Sequence, residues 1–288
     1  MSKSKILVQL DSDAQASVFD AVVAIDAGVE QLLQHSAVQV SQVRDLAYGA
    51  MFTRGIDDLR YTAIFVGGSD VSAGEAILAQ LGRTFFGPMR VSVMLDSNGA
   101  NTTAAAAVLA AAKHCPLKGT DAVVLAATGP VGSRVVRLLA REGARIKVAS
   151  RTRSRAEAVC QSVAATAPDA RLTAIETATS AQTAAALKDA KIVIAAGAPG
   201  VELLSAAARA ACKTLAVAID LSAVPPLGLG GVEVTDRGAE RDGMCCYGAI
   251  GVGATKMKIH RAAISRLFEK NDQVLDAEEI FEIGRQLR

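Results

Sequence analysis

The sequence predicts an α/β fold made of two domains, from its length and its pattern of apolar segments. Short apolar runs alternate with segments of helical periodicity along most of the 288 residues, and such repetition is typical of parallel sheets covered by helices. One repeat contains a glycine-rich turn between a strand and a helix, which indicates a nucleotide-binding domain. A chain of this length accommodates one large or two ordinary domains.

The bulk composition narrows the classes of function. Aromatic residues make up only 3% of the chain and Trp is absent, which argues against clefts that bind sugars or single-stranded nucleic acid by stacking. The net charge of +2 provides no basic field for DNA or a membrane surface. Five cysteines without a C-x-x-C pair, and three histidines without ligand spacing to them, predict reduced thiols and no metal site. Because we find no signal segment and no apolar stretch of about 20 residues, we expect a soluble, cytoplasmic protein.

The first predicted domain covers residues 1–112. It begins with a strand over 6–10, and a helix follows from Ser17, which can cap it. The apolar face of that helix is expected to contain Val18, Val22, Val23 and Ile25. The further expected elements are a helix over 41–50 capped by Ser41, a strand over 63–66, a helix over 70–82 and a strand over 91–95.

A polar segment lies between the last of these strands and an alanine-rich helix. It contains Asp96, Asn98, Thr102 and Thr103. One interpretation is a turn followed by a helix cap from Asn101 or Thr102. The other is that these hydrogen-bonding groups line a ligand cleft at a strand end. The spacing alone favours neither.

The strongest motif lies within residues 121–155. Strand, glycine turn, helix and strand follow one another within about thirty residues, which is the dinucleotide-binding unit. The turn places backbone N–H groups and the positive end of a helix against a pyrophosphate. Ala127 occupies the first place of the usual G-x-G-x-x-G pattern, so the turn must not need positive φ there. We predict a Rossmann-type domain over residues 113–257, with the cofactor bound by Thr128, Gly129, Pro130, Val131 and Gly132.

The end of the second strand in this unit predicts which dinucleotide binds. An NAD site normally has Asp or Glu there for the ribose hydroxyls, whereas this chain has Ser150 and Arg151, followed by Arg155. A carboxylate would repel a 2′-phosphate, but a hydroxyl and guanidinium groups bind it with charge-assisted hydrogen bonds. The alternative is a solvated helix start. The position at this one strand end favours NADP.

Later segments complete the predicted domains. A strand over 192–196 ends at Ala196 and Gly197, at the sheet edge where ligands bind. The proline- and glycine-rich loop over 223–231 can form a wall beside a nicotinamide ring. A helix from about residue 254 is expected to return to the first domain, so that the C-terminal helices, within residues 258–288, complete it. The last helix is predicted to begin at Asp276, with Glu279 forming a capping box.

The absence of certain acid–base groups from the sequence limits the kinds of reaction that the protein can catalyse. No lysine occurs between Ile6 and Ala112, so most of the first domain offers no ammonium group. Oxidising an alcohol or amine needs a base that takes the proton. A carbon between two nitrogens can instead lose hydride directly, because the nitrogen lone pairs delocalise the developing cation. A site poor in acid–base groups fits that substrate better.

Lys256 is the one lysine that the sequence places near such a substrate. It follows the glycine-rich stretch 248–253 at a predicted helix start, where a positive charge is unfavourable for the helix itself. Lys258 lies about 200° further around the helix and is expected to be solvated. We predict Lys256 as the candidate catalytic residue, orienting the substrate without acting as a proton-transfer base.

Several motifs are specific when they are taken together. They are Ser17-Val18-Phe19-Asp20, Phe52-Thr53-Arg54-Gly55, the segments 63–68 and 85–88, 94–99, Asn101-Thr102-Thr103, 128–132, Pro225-Pro226-Leu227-Gly228 and the glycine-rich stretch before Lys256. With them, nearly the whole chain resembles the NADP-dependent methylene-tetrahydromethanopterin dehydrogenases of one-carbon metabolism in methylotrophic and related bacteria. The chain departs from that family at Ala127, where the family pattern has Gly.

The resemblance implies hydride transfer from the methylene group of the reduced pterin to NADP, which gives the methenyl form. Some members also accept methylene-tetrahydrofolate. The family's arrangement implies a pterin-binding first domain and a homo-oligomer, with a trimer as one candidate. Two alternatives are a dehydrogenase of methylene-tetrahydrofolate alone and a catalytically silent pterin- or NADPH-binding regulator. The implied substrate-binding residues are Asp20, Asp96, Asn98, Thr102, Thr103 and Lys256.

Overall fold

A computed structural model describes residues 3–287, and the chain divides into two compact units. Unit 1 comprises residues up to Thr102 and from Met257 onward, and unit 2 comprises Thr103–Lys256. The sequence prediction put these divisions at 112/113 and 257/258. Each observed division falls inside a helix, so no linker or change of composition marks it. The predicted α/β class is confirmed.

Unit 1 contains a five-stranded sheet and its covering helices. The strands are β1 (Ile6–Asp11), β2 (Gln31–His35), β3 (Thr62–Gly67), β4 (Ser92–Leu95) and β12 (Val274–Leu275). The helices are α1 (Val18–Asp26), α2 (Val43–Met51), α3 (Val71–Thr84), the start of α4 (Ala100–Ala111), the end of α9 (Ala249–Arg266) and α10 (Ala277–Gln286). The strand order is β12-β4-β3-β1-β2, and every pairing is parallel.

The orientation of α1 corrects one prediction. Ser17 does cap the helix, and its hydroxyl accepts the Asp20 N–H. The predicted apolar face is wrong, because Val18, Val22 and Ile25 are each more than half exposed and only Val23 of that set is buried. The inward face instead carries Asp20, Val23 and Ala24, whose i, i+3, i+4 spacing puts them on one side of a helix.

The start of α2 corrects a second prediction. Ser41 does not cap it, because residues 40–42 form a 3-10 turn that enters the helix directly. The turn is closed by Gln42, whose side chain accepts the Gln39 N–H at 2.9 Å.

Two strands of unit 1 are absent from the sequence prediction. The edge strand β2 is mostly exposed and shows no apolar alternation, and β12 has two residues. Pairing of β12 with β4 confirms that the C-terminal segment returns to the first sheet. The last helix begins as predicted, with Asp276 as its cap and Glu279 completing the capping box.

Unit 2 contains a seven-stranded sheet. Its strands are β5 (Asp121–Leu125), β6 (Arg145–Ser150), β7 (Arg171–Glu176), β8 (Ile192–Ala195), β9 (Val217–Asp220), β10 (Arg237–Arg241) and β11 (Met244–Tyr247). Its own helices are α5 (Pro130–Arg141), α6 (Arg153–Thr166), α7 (Ser180–Ala186) and α8 (Ala206–Ala211). The strand order is β10-β11-β9-β8-β5-β6-β7, with only β10 antiparallel to its neighbour. The Rossmann-type order around β5 is confirmed, whereas the β10–β11 hairpin was not predicted.

The helix that contains Lys256 begins earlier than predicted, and it includes two of the preceding glycines, Gly251 and Gly253. α9 begins at Ala249 and not near residue 254. A Cβ at Gly248 would meet the Glu233 carbonyl oxygen, and one at Gly251 would meet the Asp236 carbonyl oxygen, both far inside van der Waals contact. These glycines let the backbone of α9 approach the preceding segment, where the Ile250 N–H donates to the Val234 carbonyl.

Candidate active site

A cleft of about 630 Å³ opens at the carboxyl edge of the unit 2 sheet. Its walls are the segments that follow β5, β6, β7 and β8, which is where open α/β sheets bind ligands. Its size suits a cofactor-sized molecule. The predicted cofactor residues that line it are Thr128, Gly129, Ser150, Arg151, Arg155, Ala196 and Gly197. Pro130, Val131 and Gly132 are not among its lining residues and form the first turn of α5.

The turn between β5 and α5 explains how this chain tolerates Ala127. The left-handed position is taken by Ala126, with φ of 53°, and Ala127 is buried with an ordinary negative φ. Gly129 caps α5 and Pro130 is its first residue, where a missing N–H costs nothing. A Cβ at Gly132 would lie 2.8 Å from both the Ala126 carbonyl oxygen and the Ala127 Cα. Gly132 therefore allows the turn and α5 to pack closely, and its contact with the cofactor stays a prediction.

The strand end at β6 presents two guanidinium groups to the cleft. Ser150 is buried and its hydroxyl accepts the Thr152 N–H at 3.3 Å. Arg151 and Arg155 are exposed at the cleft, and within residues 3–287 neither forms an ion pair. Arg153 differs, because its Nε donates to Glu157 at 3.0 Å and it does not line the cleft.

One wall of the cleft was missed by the sequence prediction. The loop after β7 contributes Thr177, Thr179 and Ser180, and the buried Thr183 follows in α7. Thr179 caps α7 in a capping box with Gln182. The signal was available, since a Thr followed by a Gln three residues later, as at Thr179 and Gln182, is a capping-box pattern that marks a helix start. These hydroxyls lie at the same sheet edge as Arg151.

The loop after β9 is irregular, as the prolines predicted, and a buried carboxylate gives it its shape. Asp220 accepts N–H bonds from Ser222 at 2.9 Å and Leu229 at 2.8 Å. Burial raises the pKa of Asp220, against the effect of these donors. The Gly228 carbonyl in turn accepts the N–H of Leu203 at 2.9 Å, and Leu203 lines the cleft. Asp220 therefore supports one wall indirectly.

The carboxyl edge of the unit 1 sheet holds carboxylates that are occupied by local capping. Asp96 is buried, and one of its oxygens accepts the N–H groups of Asn101 and Thr102, each at 3.0 Å. The other accepts the Thr102 hydroxyl at 2.6 Å. The cap of α4 is therefore Asp96, and the predicted cap by Asn101 or Thr102 is wrong. Asp11, at the end of β1, similarly accepts the Ser17 N–H at 3.0 Å.

The other predicted substrate residues of unit 1 lie beside this cap. Asp20 projects from α1 with 16% of its side chain exposed, and Asn98 is exposed in a turn with φ of 55°. The buried ring of His260 lies between Asp20 and Asp96, 4.0 Å from an oxygen of each. No sequence pattern had assigned His260 a role. Asp20, Asp96, Asn98 and Thr102 are thus gathered at one edge, and their contact with substrate stays a prediction.

Thr103 and Lys256 belong to unit 2, at its two ends. Both are half-buried, whereas Lys258 is exposed as predicted. Lys256 is the eighth residue of α9, counting from Ala249, so its predicted position at a helix N-terminus is wrong. Its role in orienting the substrate stays a prediction.

Residues 3–287 contain no group of three or more His, Cys, Asp or Glu side chains that could hold a metal ion. In the same part of the chain, no helix has the length and apolar character needed to cross a membrane.

Two solved structures have the same overall fold. Shikimate 5-dehydrogenase from Listeria monocytogenes, solved in complex with shikimate and NAD, aligns with a TM-score of 0.56 at 13% identity, covering 99% of this chain and 96% of the other. The ligand-free 5-ketofructose reductase of a Gluconobacter strain aligns with a TM-score of 0.54 at 15% identity, covering 99% of both chains. At such low identity these likenesses show the fold alone.

Sequence comparison identifies the family. Residues 18–98 match the family described as methylene-tetrahydromethanopterin dehydrogenase, N-terminal. The bifunctional protein MdtA of Methylorubrum extorquens is 45% identical over 289 aligned positions, which cover 100% of both chains. The matched segment contains Asp20 and Asp96. The chain therefore belongs to the methylene-tetrahydromethanopterin dehydrogenase family and is an oxidoreductase of one-carbon metabolism.

Proposed function

We propose that this enzyme transfers hydride from the methylene carbon of methylene-tetrahydromethanopterin to NADP, and that unit 2 binds the cofactor. The observation that supports NADP over NAD is the presence of two guanidinium groups, Arg151 and Arg155, exposed to the cleft at the end of β6. Together with Ser150 and the hydroxyls after β7, they suit a 2′-phosphate. The turn before α5 suits the pyrophosphate, because the helix N-terminus presents N–H groups and a positive dipole end.

The reaction needs no proton transfer. When bound, NADP supplies the hydride acceptor. The methylene C–H bond breaks and both of its electrons leave with the hydrogen, while the two neighbouring nitrogens stabilise the cationic methenyl product. We propose that unit 1 binds the pterin at its sheet edge, where Asp20 contributes negative charge that favours this cation. Lys256 is proposed to orient the pterin by a hydrogen bond.

Methylene-tetrahydrofolate is proposed as a second substrate. The methylene carbon of that substrate also lies between two nitrogens, so the same base-free chemistry applies. An absorbance assay of NADPH formation with each pterin, and with NADP and NAD in turn, tests both the reaction and the cofactor. Oxidation of neither pterin would refute the proposed function, and a higher kcat/KM with NAD would refute the cofactor assignment.

Arg151 and Arg153 offer a matched pair for testing the phosphate site. Arg151→Asp should raise the KM for NADP about ten- to a hundredfold, because a charged hydrogen bond is worth roughly 1.5–3 kcal/mol. Arg153→Asp makes the same charge change outside the cleft and should raise the KM for NADP much less. The KM for NAD, which lacks the 2′-phosphate, should respond little to either change. Equal effects of the two variants on NADP would remove Arg151 from the site.

A further inference from the structure

The imidazole of His260 is buried at the proposed pterin edge of unit 1. Only 1% of the residue is exposed. The ring stacks on Phe65 of β3, with centroids 5.6 Å apart and planes 23° from parallel. Its Nε2 lies 4.0 Å from Asp20 Oδ1, and its Nδ1 lies 4.0 Å from Asp96 Oδ2. Each ring nitrogen therefore faces a carboxylate oxygen at ion-pair distance, which is longer than a hydrogen bond.

This geometry selects one protonation state of the ring. A neutral imidazole carries a proton on one nitrogen and a lone pair on the other, and only the imidazolium presents N–H groups at both. With a carboxylate at each nitrogen, the neutral ring would direct a lone pair at a negative oxygen. Buried charges persist in proteins when they are paired, and the two carboxylates supply that pairing.

The two carboxylates differ in what they can do for a ligand. Asp96 is buried and its oxygens accept three hydrogen bonds from Asn101 and Thr102, so the position of its carboxylate beside the ring is fixed. Asp20 is the partly exposed partner. Phe65 stacks on the ring, and the ring lies within ion-pair distance of the Asp20 carboxylate.

We infer that His260 is a positioning residue that carries a proton and holds the Asp20 carboxylate in place for the reduced pterin. This inference rests on the proposed function of unit 1 and extends it. The charged groups that face the ring are Asp20 from α1 and Asp96 after β4, and Lys256 precedes it by one turn on α9. Asp11 of β1 and Asp20 both lie beside Gly67 of β3, since a Cβ there would be within 3.7 Å of a carboxylate oxygen of each. If His260 only stabilised the fold, its ring would not need to be charged. Its replacement would then also not have to affect the substrate through Asp20.

The protonation state is measurable in the unmodified protein. The chain has three histidines, so ¹⁵N spectra of histidine-labelled enzyme can be assigned with single His→Gln variants. We expect the His260 ring to keep both N–H groups at about pH 7.5, where an ordinary imidazole with a pKa near 6.5 is mostly neutral. A neutral His260 ring at that pH would overturn the inference, whatever the variants do.

The action through Asp20 is tested by kinetics of the variants His260→Gln, Asp20→Asn and the double variant. Each single change should lower kcat/KM for the pterin about tenfold or more, with the KM for NADP unchanged, and the double variant should be no worse than Asp20→Asn. His35→Gln, on β2, is the control and should match the wild type. Additive losses in the double variant, or an active His260→Gln enzyme with wild-type kinetics, would overturn the inference. An inactive wild-type enzyme would instead refute the proposed function, and the ¹⁵N spectra would still decide the protonation state of the ring.

Discussion

Gly132 allows a direct test of the strand–turn–helix geometry in unit 2. In Gly132→Ala the new methyl group would lie 2.8 Å from the Ala126 carbonyl oxygen and from the Ala127 Cα. Both are backbone atoms, so relief requires movement of the turn or of α5. Overpacking of this kind costs about 1–3 kcal/mol, and the better helix propensity of Ala returns roughly 0.5–1 kcal/mol. The two ranges differ by about 0–2.5 kcal/mol, and because both contacts are with backbone atoms we expect a net loss in the upper part of that range, about 1–2 kcal/mol in the free energy of unfolding.

Urea unfolding of Gly132→Ala and of a matched variant measures this difference. Gly82 is an exposed glycine inside α3 whose added Cβ would meet nothing within 4 Å. Gly82→Ala should therefore stabilise the protein by about 0.5–1 kcal/mol. Because the displaced turn is the proposed pyrophosphate site, Gly132→Ala should also raise the KM for NADP. If Gly132→Ala were as stable as the wild type, the tight contact would not constrain the turn and the reasoning would fail.

Two further predictions concern a partly buried ion pair and the lysine of α9. Asp236 is buried and accepts two hydrogen bonds from Arg241, at 2.7 and 2.8 Å, which lower its pKa. Asp236→Asn should cost about 1–3 kcal/mol at neutral pH. The difference in the free energy of unfolding between the two proteins, measured by urea titration, should shrink as the pH falls through the lowered pKa of Asp236. The wild-type carboxylate then loses its charge. Lys256→Ala should raise the pterin KM or lower kcat with the fold retained, and the exposed Lys258→Ala should not. A larger kinetic effect at Lys258 would reverse the assignment.

The parts of the fold that the sequence predicts are those with a strong local signal. The turn from β5 to α5 is recognisable because a buried strand, Gly129, Pro130 and an amphipathic helix come directly one after another. The last helix is equally clear, since its cap and the reciprocal Glu279 lie three residues apart. Where a few neighbouring residues determine the conformation of the chain, their sequence pattern is enough to predict the element.

The missed elements depend on contacts that the local pattern does not contain. The glycines at 248 and 251 resemble a turn in sequence, yet Gly248 directly precedes α9 and Gly251 lies within it, and both are needed because distant backbone, at Glu233 and Asp236, lies too close for any side chain. In α1 the apolar residues suggest a buried face, but the inward side is taken by Asp20, Val23 and Ala24. Both cases are decided by tertiary packing.

The candidate sites likewise contain residues that a local pattern predicts and residues that only tertiary packing brings together. The basic strand end at Arg151 was predictable because, in a dinucleotide-binding unit, the fold topology brings the end of the second strand to the ribose of the cofactor. The proximity of His260 to Asp20 and Asp96 was not predictable, because these residues are far apart in sequence and meet only in the folded unit.

The carboxylates at the end of the first sheet show why position in the sequence is not enough to assign a ligand-binding charge. Asp11 ends β1 and Asp96 directly succeeds β4, and either could be assigned to a ligand from its position. In the folded unit each accepts N–H groups at the start of the next helix of its own chain. Asp20 lies within a helix and keeps part of its carboxylate accessible, beside a histidine that can fix its position. At this edge, therefore, a place directly after a strand does not by itself mark a carboxylate as ligand-binding, and the proposed pterin contact of Asp20 rests on its partial exposure instead.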